Sequence, residues 1–494
     1  MTSVRRLSQN TVLYALGTLS RRVASLLLIP IYTSALGVSG YGALETLTVI
    51  VQTLLIVVNF GLSQALLRFY VECRDETEVL VVVRTSSVLV LGLSFGLFGL
   101  CLPFFGHLGV TLFKDEAYGR LIALAFLWAI GGALNQQLFA YFRARQDART
   151  YVAFSVGMFL ALMVLNISFV RGLRLGVQGV LLGNLIAVWS VNLWLVARFW
   201  RRGRTISWQW AGKLLRFGSP LVFSMLGWLI LNSADRYFLA YYRDLSEVGI
   251  YGLGYKVGLL VQMAVIAPFQ LAWGPFVFAQ SASTREHARR DFSRVFTYLV
   301  SILGFVSLTV LLFSAEIVDF LGAGKFTQAV QVVPYVLLAY LFNGIYYWAG
   351  NLLHLVKRTA LLSVLVFSMA VLNLLLNWAW VPTRGWNGAA LSTLVTIGGA
   401  GLLTLLVGQR LYPVPLQRVR LVKLAFGMTL IVAIVTFVSI PVGVLGWLAR
   451  GGLLLLPLLL LLVTGFFEPS EIRFLTKLPG LLKRKIQVEP GKTV

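Results

Sequence analysis

Thr11-Val-Leu-Tyr-Ala-Leu-Gly-Thr-Leu-Ser-Arg-Arg-Val-Ala-Ser-Leu-Leu-Leu-Ile-Pro-Ile-Tyr32 is the stretch from which the rest of the chain can be read. It has the ~20 largely apolar residues that a helix needs to cross a bilayer. Arg21 and Arg22 nevertheless stand near its centre. A cation at that depth costs ~2.5–3.5 kcal/mol on insertion scales, so such residues turn toward a protein interior or a watery cavity and meet something negative. The stretch predicts a membrane-spanning helix in a protein that handles an anionic substrate.

The whole chain agrees with this reading. Its 494 residues are 58% hydrophobic and 12% charged, with a mean hydropathy of +0.84, against ~25% charged in an average soluble domain. Water would not tolerate that much apolar surface, so a polytopic membrane protein is predicted. The net charge of +24 would elsewhere suggest nucleic acid. Here the basic residues lie in short loops between apolar segments, so no nucleic-acid partner is expected. Cys73 and Cys101 are the only cysteines, too few for a disulfide framework or a metal-ligand spacing. His107, His287 and His354 are scattered. No catalytic residue and no metal site is expected. No cleavage site of signal-peptide type precedes the first span, so no processing is expected.

Apolar runs bounded by charge, Gly and Pro give about 14 transmembrane helices. They cover 11–33, 42–66, 84–106, 120–142, 151–170, 177–197, 217–240, 248–277, 295–315, 330–353, 360–380, 386–408, 421–440 and 446–467. With the N-terminus inside, 30 of the 42 Lys and Arg fall in cytoplasmic loops and tails. Eight fall opposite: Lys114, Arg120, Arg171, Arg174, Arg243, Lys325, Arg384 and Arg450. This asymmetry predicts cytoplasmic termini. Between spans six and seven, Arg198 to Arg216 mixes basic residues with Trp200, Trp208 and Trp210, which suits a segment lying among lipid headgroups. All external loops are short.

The sequence also repeats. A shift of 210 residues aligns 5–56 with 215–266 without a gap, and thirteen positions are identical, among them Gly17/Gly227, Tyr32/Tyr242, Tyr41/Tyr251, Gly42/Gly252 and Gln52/Gln262. Gly176-Val-Gln-Gly179 matches Gly385-Trp-Asn-Gly388 at a shift of 209. The expected fold is all-α: a six-helix lobe over 1–205, a second over 206–410, and two additional helices with a basic tail over 411–494. Transporters built from such repeats bind substrate between them near the midplane.

Four cations lie within spans: Arg21, Arg22, Arg236 and Lys256. Spacings of three and four residues place Asn10, Tyr14 and Thr18 with Arg21, and Thr11, Thr18 and Ser25 with Arg22. Span seven adds Asn232, Asp235 and Arg236 on a face with Ser224 and Trp228, and span eight adds Tyr251 and Lys256. Asp235 and Glu45 are the obvious intramembrane acids. A cationic cavity for a phosphate or pyrophosphate is one reading, since arginine binds such groups bidentately; internal pairing that holds helices together is the other. Adjacent residues point in different directions, so Asp235 is expected to pair with another span rather than with Arg236. Asn135, Gln136 and Gln137, and Asn343, Tyr346, Tyr347, Asn351 and His354, line a cavity or bond neighbouring helices. No nucleotide-binding motif is present.

Several stretches now resemble one family. They are Asn10 to Gly42, ending in Leu36-Gly-Val-Ser-Gly-Tyr-Gly42; Asn59-Phe-Gly-Leu62 through Arg68-Phe-Tyr70; Phe217-Gly-Ser-Pro220 to Asp235-Arg236; and Val248-Gly-Ile-Tyr251 with Lys256. In order and spacing they resemble the polysaccharide flippases, in the superfamily of multidrug and toxin extrusion transporters and lipid II flippases. The resemblance implies a 14-helix, two-lobed fold working by alternating access in the bacterial cytoplasmic membrane. The implied substrate is an undecaprenyl-diphosphate-linked oligosaccharide, such as an O-antigen unit, moved from the cytoplasmic to the outer leaflet for cell-surface polysaccharide synthesis. A polysaccharide polymerase complex is an implied partner, and the last two helices would offer a groove for the lipid tail.

On this reading Arg21, Arg22, Arg236, Lys256, Tyr14, Asn232 and Tyr251 bind substrate. Asp235 and Glu45 are the candidates for coupling to a proton or sodium gradient or to the membrane potential, without a cofactor. The protein is then no enzyme, and nothing demands more than a monomer. The alternatives are a lipid II flippase, an integral-membrane polysaccharide polymerase or glycosyltransferase, and a non-transporting scaffold.

Overall fold

A computed structural model describes residues 26–201, 203, 205–280, 284–434, 445–457, 459–468 and 471 with their side chains, and the backbone alone of 2–25, 435–437, 444 and 458. Among the described residues every regular element is helical and no strand occurs. The first helix, α1 (Thr2–Asn59), is 58 residues long. Straight, it would reach roughly 87 Å, far beyond a hydrocarbon core of ~30 Å. It bends at Gly37, whose φ of 69° and ψ of −174° leave the helical region. Left-handed φ values cost a residue with a Cβ ~1–2 kcal/mol, so glycine suits the bend. The connection expected over 34–41 is thus helical on both sides of a single bent residue, which corrects the sequence reading. The second arm also stops early: Phe60 and Gly61 take φ values of 51° and 69° and turn the chain into α2 (Leu62–Phe69).

The chain continues through α3 (Glu76–Cys101), α4 (Phe105–Phe113), α5 (Tyr118–Ala144), α6 (Ala148–Ile167), α7 (Gly176–Trp200), α8 (Trp208–Tyr242), α9 (Leu245–Val261) and α10 (Ala267–Gln280). Then come α11 (Arg285–Leu312), α12 (Ser314–Gly322), α13 (Val333–Leu355), α14 (Thr359–Arg384), α15 (Trp386–Leu411), α16 (Arg418–Phe437) and α17 (Val444–Val463). Polar caps set four starts: Asp75 accepts from the Glu78 amide at 2.7 Å, Asp147 from Thr150 at 3.1 Å, Ser207 from Trp210 at 3.4 Å and Asp244 from Glu247 at 2.9 Å. Each satisfies an amide that a helix start would leave bare, contributing ~1 kcal/mol. Single π-helical turns follow α6 and α9, at Ser168–Gly172 and Gln262–Ile266.

Twelve helices among the described residues are long and apolar enough to cross a membrane. The protein is a multi-pass membrane protein. Their surroundings differ. In α5, 61% of the most apolar window is buried in protein, whereas the figure is 17% for Glu76–Phe113, Ala148–Gly172 and Thr359–Arg384. Lipid is as apolar as a protein core, so hydropathy alone does not say which helices are central.

By packing, the chain divides into two units. One comprises Met1–Leu259, Ser314–Asn343 and Arg358–Thr404; the other comprises Leu260–Phe313, Gly344–Lys357 and Leu405–Val494. These units do not follow the repeat. In the first, α5 is the hub, and Phe126, Ile130 and Leu134 pack with Leu47 and Val51 of α1. Also in this unit, the second arm of α1 crosses α9 backbone to backbone. A Cβ on Gly42 would strike the Leu245 carbonyl, and one on Gly249 the Val38 carbonyl. The 210-residue shift makes Val38 and Val248, and Gly42 and Gly252, equivalents, so equivalent parts of the two repeats meet at this crossing. In the second unit, α11 packs on α16 and α17 through Leu308, Leu312 and Ile431.

Candidate functional site

A cavity of about 720 Å³ opens in the first unit between the second arm of α1, α2, α5, α6 and α8. Gln52 and Asn59 of α1 face it at helical spacing, with Gln64 of α2, Asn135 and Gln136 of α5 and Asn232 of α8. Phe139, Tyr151 and Trp228 add aromatic surface. The one cation among the described lining residues is Arg143, in the last turn of α5. Its guanidinium makes no ion pair or hydrogen bond among the described residues.

Hydrogen bonds orient these amides. The Gln136 carbonyl accepts from Asn59 Nδ2 at 3.2 Å, that of Gln64 from the Ser63 hydroxyl at 2.6 Å and that of Gln52 from Ser233 at 3.4 Å. The three glutamine side chains are exposed to the cavity. Each carbonyl already accepts one protein donor, while the NH2 groups make no bond among the described residues and are the part most open to a ligand. Asn135 is held by Asn192, whose own amide donates to the Gly131 carbonyl. Gln137, grouped with its neighbours in the sequence reading, is fully buried and does not reach the cavity lining.

Beside the cavity lies a closed ionic cluster. Asp235 Oδ1 accepts from the Arg236 amide and from its Nη1, both at 2.9 Å. Its Oδ2 accepts from the hydroxyls of Tyr251 and, at 3.2 Å, of Thr393. Arg236 also donates to the Asn232 carbonyl at 2.5 Å and lies 4.1 Å over the Tyr255 ring and 5.0 Å over Tyr251. Lys256 pairs with Glu45 at 3.1 Å. The side chains of Asp235 and Arg236 are 2% and 5% exposed, and Lys256 keeps 25%, so only the lysine retains appreciable access.

Two expectations are corrected here. Asp235 does pair with its sequence neighbour, because the long arginine side chain curls back along the helix past the preceding turn, as helical side chains tend to do. Arg236 and Lys256, expected among the cations of a substrate cavity, are instead each paired with a carboxylate, Asp235 and Glu45. An isolated buried charge is too costly to leave unpaired. The structure thus gathers Glu45, Asp235, Arg236, Tyr251 and Lys256 into one cluster and sets Asn232 on the cavity wall next to it. Tyr14, Arg21 and Arg22 lie outside the residues whose side chains are described. Arg143, Gln52, Asn59 and Gln64 were missed, although Gln52, Asn59 and Ser63 follow helical spacing and Gln52 is one of the repeat identities.

The cavity lies among helices long and apolar enough to cross a membrane, and known structures share this fold. The chain is similar to the lipid II flippase MurJ in an inward closed conformation, with a TM-score of 0.73 and 14% identity over 92% of this chain and 97% of that one. It is also similar to an inward-facing multidrug resistance MATE transporter of the MOP superfamily, with a TM-score of 0.64 and 17% identity over 79% of this chain and 94% of that one. In sequence, residues 7–281 match the polysaccharide biosynthesis protein family, and the chain belongs to that family. Lsg locus putative protein 1 of Haemophilus influenzae is 23% identical over 274 residues, which is 52% of this chain. The match spans 63% of that relative's length.

Proposed function

We propose that this protein is a flippase that carries an undecaprenyl-diphosphate-linked oligosaccharide from the cytoplasmic to the outer leaflet of the bacterial cytoplasmic membrane, for cell-surface polysaccharide synthesis. The observation that carries the reading is the cavity: a large polar space among membrane helices, lined by amide donors and aromatic rings with one cation, Arg143, whose side chain has no partner among the described residues. Amides exchange hydrogen bonds with sugar hydroxyls, aromatic faces take the apolar faces of sugar rings, and Arg143 is suited to a diphosphate oxygen. Membership in a polysaccharide biosynthesis family supports the same substrate class.

In this proposal the repeats, 1–205 and 206–410, are the moving lobes and 411–494 an addition. Both termini are cytoplasmic, as the distribution of Lys and Arg suggests. The work is translocation without covalent chemistry, in the vicinity of a polysaccharide polymerase complex. Energy comes from an ion gradient or the membrane potential, with Glu45 the more accessible coupling acid because its partner Lys256 is partly exposed. Arg21 and Arg22 are assigned to the diphosphate with Arg143.

The test is flipping of a fluorescent undecaprenyl-diphosphate oligosaccharide in proteoliposomes. Wild type flips it; Arg143→Gln and Arg21→Ala/Arg22→Ala insert normally and do not. Normal flipping by these variants removes the cationic site. No flipping by well-folded wild type, across several glycans and with an imposed gradient, removes the flippase reading.

A further inference from the structure

The end of α7 carries a second feature, which the transport cavity does not include. Trp194, Ala197, Arg198 and Arg201 line a recess of about 390 Å³. The Arg198 guanidinium lies 5.5 Å over the Trp194 ring, which packs against Phe154 of α6 at 5.1 Å. Arg198 and Arg201 are three residues apart and so share one helix face. Neither has an ion-pair partner among the described residues. Three other arginines near helix ends are paired: Arg68 meets Glu72, Arg145 meets Glu76 and Arg243 meets Glu247.

The surroundings point to the bilayer surface. Helix α7 is a candidate membrane span, so its last turn lies near a membrane boundary. Leu193 and Trp194 are 63% and 51% exposed just before the arginines, and apolar side chains there require lipid tails rather than water. Across the following segment Lys213 lies 4.3 Å over Trp210, and Trp208 is exposed. Tryptophan with arginine or lysine is the pattern of the headgroup layer. The helix end is also held in place from behind, because buried Arg84 of α3 donates from Nε and Nη2 to the Phe199 carbonyl, both at 3.2 Å.

We propose that this recess binds the phosphate of an anionic phospholipid, with Arg198 and Arg201 on the phosphate oxygens and the acyl chains along Leu193 and Trp194. Arginine forks match phosphate geometry, and the apolar approach from the membrane side fits a phospholipid better than a soluble anion. The inference is independent of what the cavity transports.

The experiment is native mass spectrometry of protein released from nanodiscs that contain equal phosphatidylglycerol and phosphatidylcholine. Wild type is expected to retain phosphatidylglycerol with a preference of roughly tenfold. Arg198→Gln/Arg201→Gln loses the preference, and Arg290→Gln, at a paired surface arginine, keeps it. In a second measurement, brominated phosphatidylglycerol quenches wild-type fluorescence more than brominated phosphatidylcholine does, and Trp194→Phe removes the difference. Unchanged retention in the double variant, equal retention of both lipids, or displacement by millimolar inorganic pyrophosphate would each overturn the assignment. The quenching arm decides the matter if the double variant does not fold.

Discussion

The ionic cluster around Asp235 and the cavity beside it share Asn232 and little else. In the cluster, Asp235 and Arg236 are shut away from solvent and closely bonded, with Asp235 taking four donors. In the cavity the described lining is neutral apart from Arg143, and its glutamines keep donors unspent. The difference is one of free energy. A buried charge must find its partner within the protein, whereas a neutral amide can stand open at modest cost and exchange water for ligand. Among the described residues, the intramembrane charges Glu45, Asp235, Arg236 and Lys256 are paired with one another, and the space for a ligand is bounded largely by uncharged residues.

The largest effect is expected where the cluster is broken on one side. Arg236→Met leaves Asp235 buried without its cation and should cost about 3–5 kcal/mol, read as a loss of thermal stability and of monodisperse yield. If Asp235→Leu/Arg236→Met recovers most of that loss, the pair is a joint; if the double variant is stable but does not transport, the cluster has a functional part as well. Gly42→Ala comes next. Its Cβ would meet the Leu245 carbonyl, and overpacking of this kind costs about 1–3 kcal/mol. Melting temperature checks it, and an unchanged value would mean that α1 and α9 separate freely.

The cavity should respond in the opposite manner. Gln52→Ala/Gln136→Ala is expected to change stability by less than ~1 kcal/mol and to slow flipping about tenfold, the equivalent of ~1.4 kcal/mol on the barrier. A stability loss as large as that of Arg236→Met would erase the contrast. The smallest effect lies away from both regions. Burial pushes the Glu471 carboxyl up, but hydrogen bonds from Tyr298, the Glu468 amide and Arg420, with the Arg420 charge, hold it below the usual range. Its Oε2 meets Arg420 Nη2 at 2.9 Å. A depressed carboxylate stabilises the fold fully above its unfolded value of ~4.3 and loses that contribution as pH falls through the lower folded value. Wild type should therefore lose slightly more stability on acidification than Glu471→Gln, measured by thermal melts; identical curves would remove the contact from the account.

Much of the fold was legible in the sequence because the bilayer imposes a length and a hydropathy on each span. The run from Tyr118 to Ala144 is helical whether or not its neighbours are known. The bend at Gly37 was less legible, since a glycine among apolar residues reads equally as a loop. The site was legible in part. Asn232, Asn135 and Gln136 stood out as polar residues in spans, and they line the cavity. Gln52 and Asn59 did not stand out, because two amides on an apolar helix are as common at helix contacts as in cavities.

By itself, the sequence determined a helical membrane protein with a repeat and with cations placed where lipid would reject them. These follow from local rules: the apolar length needed to cross hydrocarbon, and the cost of a lone charge within it. Only the tertiary structure decided that Arg236 turns back to Asp235, that Lys256 meets Glu45, and that open amides rather than these cations bound the cavity. Pairing depends on distances between residues far apart in the chain, and one-dimensional periodicity carries no record of them.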